Sequence, residues 1–186
     1  MNAVIVPKRH RITVDEFHRM GEAGIFSEDE RVELVEGEII DMAPIGPFHA
    51  NVVDELMQLF VKKLPNELRL RAQNPITLDR KNEPQPDLAI VKNKSYISSH
   101  PAPEDVLLLI EVADTSLDYD RNVKIPLYAR HKIPEVWLVN LEEKTIEVFR
   151  HPASQGYSEA RIIRAGENLQ ASTPSGIEID PSRLFQ

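Results

Sequence analysis

The chain has 186 residues, 41% of them hydrophobic and 28% charged, which is typical of one globular domain that buries its own core. It contains no cysteine, so disulfides and thiolate metal sites are excluded. Because no apolar stretch approaches the ~18 residues of a membrane span or forms a signal peptide, we expect a cytoplasmic protein without membrane contact. We predict a single domain over residues 1–186, with a basic N-terminal arm at 1–12.

Charge is distributed unevenly along the chain. The net charge of −8 argues against non-specific binding to nucleic acid. However, residues 62–81 contain six basic and two acidic side chains, and residues 121–132 contain four basic and no acidic ones. Such blocks are commonly solvated faces, and they are also what contacts phosphates in nucleic-acid-binding proteins.

The N-terminal segment predicts a helix followed by a hairpin. Thr13 and Glu16 have the spacing of a capping box, and Gly21 or Gly24 would end the helix that follows. Val32 and Leu34 alternate with Glu33, and Ile39 and Ile40 follow a Glu-Gly turn, so residues 32–41 predict a β-hairpin.

The middle of the chain predicts one helix and three strands. Apolar residues recur at helical spacing over 50–64. A strand is expected over 68–78, bent at Pro75, and a short one over 87–91. The five consecutive apolar residues 106–110 indicate a strand that is buried on both faces and therefore central.

A crossover unit follows this central strand. We expect a helix over 118–131, capped by Ser116 or Asp118 and kinked at Pro126 unless it starts only just before that residue, and then another buried strand over 133–141. A strand–helix–strand crossover implies a parallel pair. With a terminal meander after it, the chain predicts an α/β or α+β fold, a mixed sheet flanked by helices with the core order αβββαβ.

Two acidic residues stand where strands meet the edge of this sheet. Asp87 opens the strand over 87–91, where it is either a turn residue that bonds nearby backbone or part of a site. Glu111 ends the most apolar strand, and a carboxylate there is costly unless it is paired or binds a metal. Together they form a hard oxygen site that suits Mg²⁺ or Mn²⁺, to which the carbonyl of Val112 can add a ligand.

The segments EPQPDLAIV, PEDVLLLIEVAD and DRNVKIPLYARHKIPEVWLVNL resemble the Uma-type branch of the PD-(D/E)XK nuclease superfamily. The similarity extends to VELVEGEIIDMAP and NPITL and covers about residues 10–186. It implies a restriction-endonuclease-like fold and metal-dependent hydrolysis of phosphodiester bonds, usually in DNA. Members of this branch are mostly uncharacterised bacterial proteins.

The sequence departs from the superfamily pattern at one position. The lysine expected two residues after the glutamate is replaced by Ala113. In related branches the following helix supplies that lysine, and Lys124 matches this position, with Tyr128 one turn further on the same face. A lysine there either supports the attacking water and the developing phosphate charge or is simply solvated.

Three further residues have both a functional and an ordinary interpretation. Glu33 falls where the family also has a glutamate, so it is a third metal ligand or an outward-facing strand residue. His49 contacts phosphate or water, or it caps a helix. Gln73 orients a neighbour in the site or has no role there.

The leading hypothesis is a Mg²⁺-dependent endodeoxyribonuclease that acts on DNA as a homodimer. Basic side chains of the two blocks would contact the DNA backbone: Lys62, Lys63, Arg69, Arg71 and Arg121. The alternatives are a non-catalytic protein- or nucleic-acid-binding module that retains the nuclease fold, and a two-carboxylate hydrolase such as a glycosidase.

Overall fold

The computed structural model describes residues 9–186 and contains helices, two small hairpin-like pairs of strands and one larger sheet. The helices are α1 (Val14–Glu22), α2 (Pro47–Lys63), α3 (Leu117–Tyr119) and α4 (Ile125–Arg130), with a π-helical turn at Asp120–Lys124 between the last two. The strands are β1 (Val32–Val35), β2 (Glu38–Asp41), β3 (Leu68–Ala72), β4 (Leu88–Lys92), β5 (Val106–Ala113), β6 (Glu135–Asn140), β7 (Thr145–Ala153), β8 (Gly156–Ile163), β9 (Leu169–Gln170) and β10 (Glu178–Ile179).

The larger sheet has six strands in the order β3-β4-β5-β6-β7-β8. Strands β5 and β6 are parallel and the other neighbours are antiparallel. The parallel pair is joined by the helical segment 117–130, as a crossover requires. The predicted mixed sheet, the central position of β5 and the core order αβββαβ are therefore confirmed.

Side chains of β5 alternate between two hydrophobic cores. Leu108 and Ile110 belong to the core that α2 and the C-terminal segment cover. Leu109 and Ala113 belong to the core on the opposite face, which α4 and β1 cover. Because the side chains of a strand alternate, Glu111 lies on the second face and points toward the helical segment rather than toward α2.

The N-terminal segment follows its predicted local structure. Thr13 caps α1 with a complete capping box, and the chain turns at Gly24 in a left-handed conformation. Strands β1 and β2 form the expected hairpin around Glu36 and Gly37. The predicted basic arm falls partly on residues 1–8, outside the described residues.

Helix α2 begins earlier than the apolar spacing indicated. It starts at Pro47 rather than at residue 50, because Gly46 takes an extended conformation at the N-cap and proline is favoured in the first turn. His49 therefore lies inside the first turn of the helix and not before it.

The crossover segment is not one kinked helix, and α4 instead begins at Ile125, just before Pro126, as the second of the two predicted possibilities has it. A π-helical turn separates α3 from α4, and the Ile125 N–H donates to the carbonyl of Asp120 across the wider turn. Pro126 has no N–H to donate and its ring conflicts with the preceding turn, so the chain widens just before it. The expected side-chain cap is absent here, since Ser116 donates its hydroxyl to Asp120 instead.

Three other expectations have mixed outcomes. The strand predicted over 68–78 is wrong beyond Ala72, because Gln73 takes a left-handed conformation that ends the pairing. The terminal meander forms from β7 and β8, and Trp137 is fully buried in the core. No helix among residues 9–186 has the length and apolarity required to cross a membrane.

Candidate active site

The two predicted metal ligands are brought together by the antiparallel pairing of β4 with β5. Leu88 lies opposite Ile110 in this register, so its continuation by one residue places Asp87 opposite Glu111. Both side chains project on the face that the crossover segment covers. Opposed residues of antiparallel strands have Cβ atoms about 5 Å apart, which is a suitable separation for sharing one ligand.

Asp87 is held by donors on three different elements. Its Oδ2 accepts from the backbone N–H of Val112 at 2.9 Å and lies 3.1 Å from Nε2 of His49. Gln73 contributes a long contact of 3.5 Å to the other oxygen. Burial opposes ionisation, but the contacts with His49 and Val112 outweigh it and lower the pKa of Asp87, so its carboxylate is charged.

Glu111 is only 3% exposed and has two donors on one oxygen. Its Oε1 accepts from the hydroxyl of Tyr128 at 2.5 Å and from Nζ of Lys124 at 2.8 Å. Burial, together with the neighbouring carboxylates, raises the pKa of Glu111 to about 8 against the attraction of Lys124. The site therefore favours a proton or another cation on this carboxyl group.

Lys124 extends from the π-helical turn into a set of carboxylates. Besides Glu111, its Nζ lies 3.3 Å from Oε2 of Glu33 and 4.0 Å from Oδ1 of Asp120. Desolvation alone would lower the pKa of Lys124, but the charges of Glu111 and Glu33 raise it well above its usual value. The ammonium group is thus buried and charged at the position predicted for the missing strand lysine.

Glu33 reaches the site from the hairpin. It is 3% exposed, and its Oε2 accepts from the backbone N–H of Gln85 at 2.9 Å as well as from Lys124. The outward-facing alternative for this residue is therefore wrong. Whether it also binds a metal stays a prediction.

These groups share one cavity of about 570 Å³. Glu33, His49, Asp87, Glu111, Val112 and Lys124 all line it, together with residues of the loop 42–46 and of the turn 114–116. Tyr128 lies behind Glu111 and is fully buried, while Gln73 supports Asp87 from behind. The structure thus brings together every candidate predicted for catalysis, metal binding and support.

The donor set fits a divalent cation. Among residues 9–186, no side chain or backbone N–H donates to Oε2 of Glu111, and the other oxygen of Asp87 has only the long contact to Gln73. Three buried carboxylates, those of Glu33, Glu111 and Asp120, and the partly buried Asp87 line the cavity with Lys124, Arg31 and His49, so acidic side chains outnumber basic ones. Hard oxygen donors with open positions for water are what Mg²⁺ and Mn²⁺ prefer.

The predicted nucleic-acid contacts do not line this cavity. Lys62 and Lys63 are at the far end of α2, roughly 20 Å along the helix from His49, given a rise of 1.5 Å per residue. Arg71 packs its guanidinium over the ring of Tyr96. Arg121 is paired with Glu147.

Sequence reasoning missed three residues of the site. Asp120 lies one turn before Lys124, and this spacing of four residues was the signal that would have identified it. Arg31 lines the cavity, but it was hidden within an acidic block. Gln85 acts through its backbone N–H, for which no side-chain pattern exists.

A mixed sheet that brings an aspartate, a glutamate and a lysine to one cavity defines the restriction-endonuclease-like class. The family model of Uma2, described as a putative restriction endonuclease, matches residues 14–182, and the chain belongs to this family. A similar solved structure is a putative nuclease of the DUF820 group from Anabaena variabilis. It has 18% identity and a TM-score of 0.69, with 94% of this chain and 97% of that one covered. No curated protein matches the sequence.

Proposed function

We propose that the chain is a Mg²⁺- or Mn²⁺-dependent endonuclease that hydrolyses phosphodiester bonds in DNA. The observation that carries this proposal is the placement of Asp87 opposite Glu111 with the buried Lys124 ammonium 2.8 Å from the glutamate. The nuclease family and fold support the reaction class. The metal and the substrate are inferred from the chemistry of the donors.

In this proposal Asp87 and Glu111 hold the metal, and the carbonyl of Val112 and the carboxylate of Glu33 are further candidate ligands. When bound, the ion would polarise the phosphoryl oxygen and lower the pKa of a water molecule. Asp87 is kept charged by His49 and Val112 and is therefore ready to bind a cation. Tyr128 fixes the orientation of the Glu111 carboxylate through its hydroxyl.

Lys124 orients the attacking water and stabilises the negative charge that develops on the phosphate. The crossover segment can supply this lysine because Glu111 faces that segment. Ala113 lies on the same face of β5 and packs under the helix, and its small side chain leaves room for that of Lys124. His49 lines the cavity with Nε2 directed at Asp87, so in this proposal it holds that carboxylate in place.

The test is cleavage of plasmid DNA and of matched RNA by purified protein with Mg²⁺ or Mn²⁺ and with a chelator. We expect metal-dependent cleavage by the wild type and none by Asp87→Asn. Lys124→Ala should lose cleavage while titration calorimetry still detects Mn²⁺ binding. His151→Ala, which alters an exposed histidine of β7, is the matched control.

Three outcomes would contradict the proposal. Equal Mn²⁺ binding by the wild type and Asp87→Asn would show that Asp87 does not bind the metal. Absence of cleavage on all nucleic-acid substrates, combined with capture of DNA by the wild type, would favour a non-catalytic binding module with a nuclease fold. Release of a reducing sugar from a glycoside without added metal would favour a two-carboxylate hydrolase.

We also propose a homodimer, since enzymes that cut both DNA strands commonly have two active sites. Strand β8 is an outer strand of the six-stranded sheet and exposes Ile162. An isologous pairing of two β8 strands would cover it. Light scattering should detect a dimer for the wild type and a monomer for Ile162→Lys.

A further inference from the structure

A second group of potential ligands lies outside the cavity, where three separate segments meet. It consists of His18 on α1, Glu83 before β4 and His100 in the loop between β4 and β5. One ligand atom from each lies within 4.8 Å of the others, and His18 Nε2 is 2.5 Å from Oε1 of Glu83. None of the three lines the cavity described above.

We propose that His18, Glu83 and His100 bind a Zn²⁺ ion. Two imidazoles and one carboxylate form a donor set of borderline softness, which suits zinc, whereas all-oxygen donors suit Mg²⁺. Zinc ligands at 2.0–2.1 Å from a tetrahedral ion are about 3.4 Å apart. The present spacing of 2.5 Å to at most 4.8 Å requires shifts of up to about 1.4 Å between ligand atoms, and the half-exposed side chain of His18 is free to contribute to them. Water would occupy the fourth position.

Glu83 is oriented for this task before any ion arrives. It is 3% exposed, and its Oε2 accepts from the hydroxyl of Thr77 at 2.7 Å, which leaves Oε1 for the contact with His18. A carboxylate whose second oxygen is fixed by a hydroxyl is the arrangement that orients metal ligands in proteins. The backbone of Glu83 is fixed as well, because it exchanges two hydrogen bonds with Leu34.

The location gives the ion a structural consequence. Glu83 lies two residues before Gln85, whose N–H binds Glu33, and Leu34 is the immediate neighbour of Glu33. A zinc ion would therefore join α1 to the segment 83–85, which holds the cavity residue Glu33 in place. It would stabilise the position of Glu33 without contacting the cavity itself.

The test is titration of Zn²⁺ into metal-free protein by calorimetry, with Co²⁺ absorption as a second readout. We expect one zinc per chain and the visible absorption of tetrahedral Co²⁺. His18→Ala and His100→Ala should each weaken zinc binding by more than about 100-fold, the upper range for loss of a supporting residue. Thr77→Val should weaken it by about 10-fold.

The controls separate this site from the proposed nuclease site. His151 also lies near a glutamate, with Nε2 3.4 Å from Oε2 of Glu159. His151→Ala therefore tests whether one histidine–glutamate pair is enough to bind zinc. We expect this variant to bind zinc as tightly as the wild type. Asp87→Asn should lose Mn²⁺ binding and keep zinc binding, and His100→Ala should do the reverse. Circular dichroism spectra establish that each variant is folded. The proposal is overturned by equal zinc affinity in the wild type and folded His100→Ala, or by loss of zinc binding in Asp87→Asn.

Discussion

At the residue scale, the cavity is dominated by the cost of burying negative charge. Glu33, Glu111 and Asp120 are buried and Asp87 is partly buried, and Lys124 neutralises only part of their charge. Burial raises the pKa of Asp120 as it does that of Glu111. Because an unpaired buried carboxylate is costly, such a cluster is stable only if it takes up protons or a cation.

This charge balance predicts that metal affinity depends on pH. The pKa of Glu111 is about 8 in the metal-free protein, so below that pH its carboxyl group carries a proton that a metal must displace. Mn²⁺ affinity should therefore rise by about tenfold per pH unit as the pH approaches 8 and then level off. Calorimetry at several pH values measures this slope. Glu111→Gln should bind weakly with a flatter profile, and an unchanged slope in that variant would assign the proton elsewhere.

The Tyr128 hydroxyl is predicted to position Glu111 for metal binding. Tyr128→Phe removes the shorter of two hydrogen bonds to Oε1 and leaves only Lys124 there. We expect Mn²⁺ affinity to fall by about tenfold, as for loss of other supporting residues. Tyr157→Phe is the control, since that hydroxyl donates to the carbonyl of Ile133. Equal effects of both variants on affinity would exclude a specific role for Tyr128.

At the scale of elements, the hairpin of β1 and β2 carries Glu33 into the site and depends on one glycine. Gly37 has φ of 72°, and a Cβ there would lie 2.8 Å from Cβ of Arg11 and 3.0 Å from the carbonyl oxygen of Ile12. Both the left-handed backbone and the close packing of residues 11–12 therefore require glycine.

Gly37→Ala should accordingly be more destabilising than Gly24→Ala. Both residues have φ of 72°, but a Cβ at Gly24 meets nothing within 4 Å. The backbone alone costs about 1 kcal/mol for alanine, and the clash at Gly37 should bring the total to more than about 2 kcal/mol. Urea denaturation measures both values. Similar losses of unfolding free energy in the two variants would mean that residues 11–12 move away from the new Cβ at position 37 without an energetic cost.

The end of α4 contains a conformation that lysine tolerates poorly. Lys132 follows the C-terminal end of α4 and has φ of 61°, a left-handed conformation that glycine usually takes at this position. Lys132→Gly should therefore raise the free energy of unfolding by about 1 kcal/mol. Gln58→Gly, in the exposed middle of α2, should lower it by about the same amount. A loss of stability in Lys132→Gly would show that the lysine side chain makes a compensating contact.

At the scale of the whole molecule, the basic residues and the cavity lie on different parts of the surface. Lys62 and Lys63 are at the opposite end of α2 from His49, so DNA would contact them only by extending well beyond the cavity. Arg31 lines the cavity and would be closer to a phosphate bound there. The salt dependence of binding can distinguish these two arrangements.

We predict that the inactive Asp87→Asn protein binds DNA with an affinity that falls with salt. Replacing Lys62 and Lys63 by alanine in that background should reduce the slope of log K against log salt by about 2 if both contact phosphate. Lys144→Ala, in the turn between β6 and β7, should leave it unchanged. Fluorescence anisotropy at several salt concentrations measures the slopes. An unchanged slope in the variant that lacks both lysines would show that DNA contacts only the region around the cavity.

The sequence by itself determined the elements whose signals are local. The capping box at Thr13, the turn at Gly37 and the apolar run of β5 are properties of adjacent residues, and the structure confirms each of them. The family resemblance added Lys124, which periodicity alone would have left as an ordinary helix residue. Local signals failed where a single residue redirected the chain, as at Gln73 and around Pro126.

Only the tertiary structure decided how the candidates are related. The sequence named Asp87, Glu111, Lys124 and Glu33 without showing that one cavity holds them, because strand register and hairpin docking depend on contacts between distant segments. It also gave no sign that His18, Glu83 and His100 meet, since they are 65 and 17 positions apart along the chain. A charge is costly or useful according to its burial and its neighbours, and these are set by packing rather than by residue type.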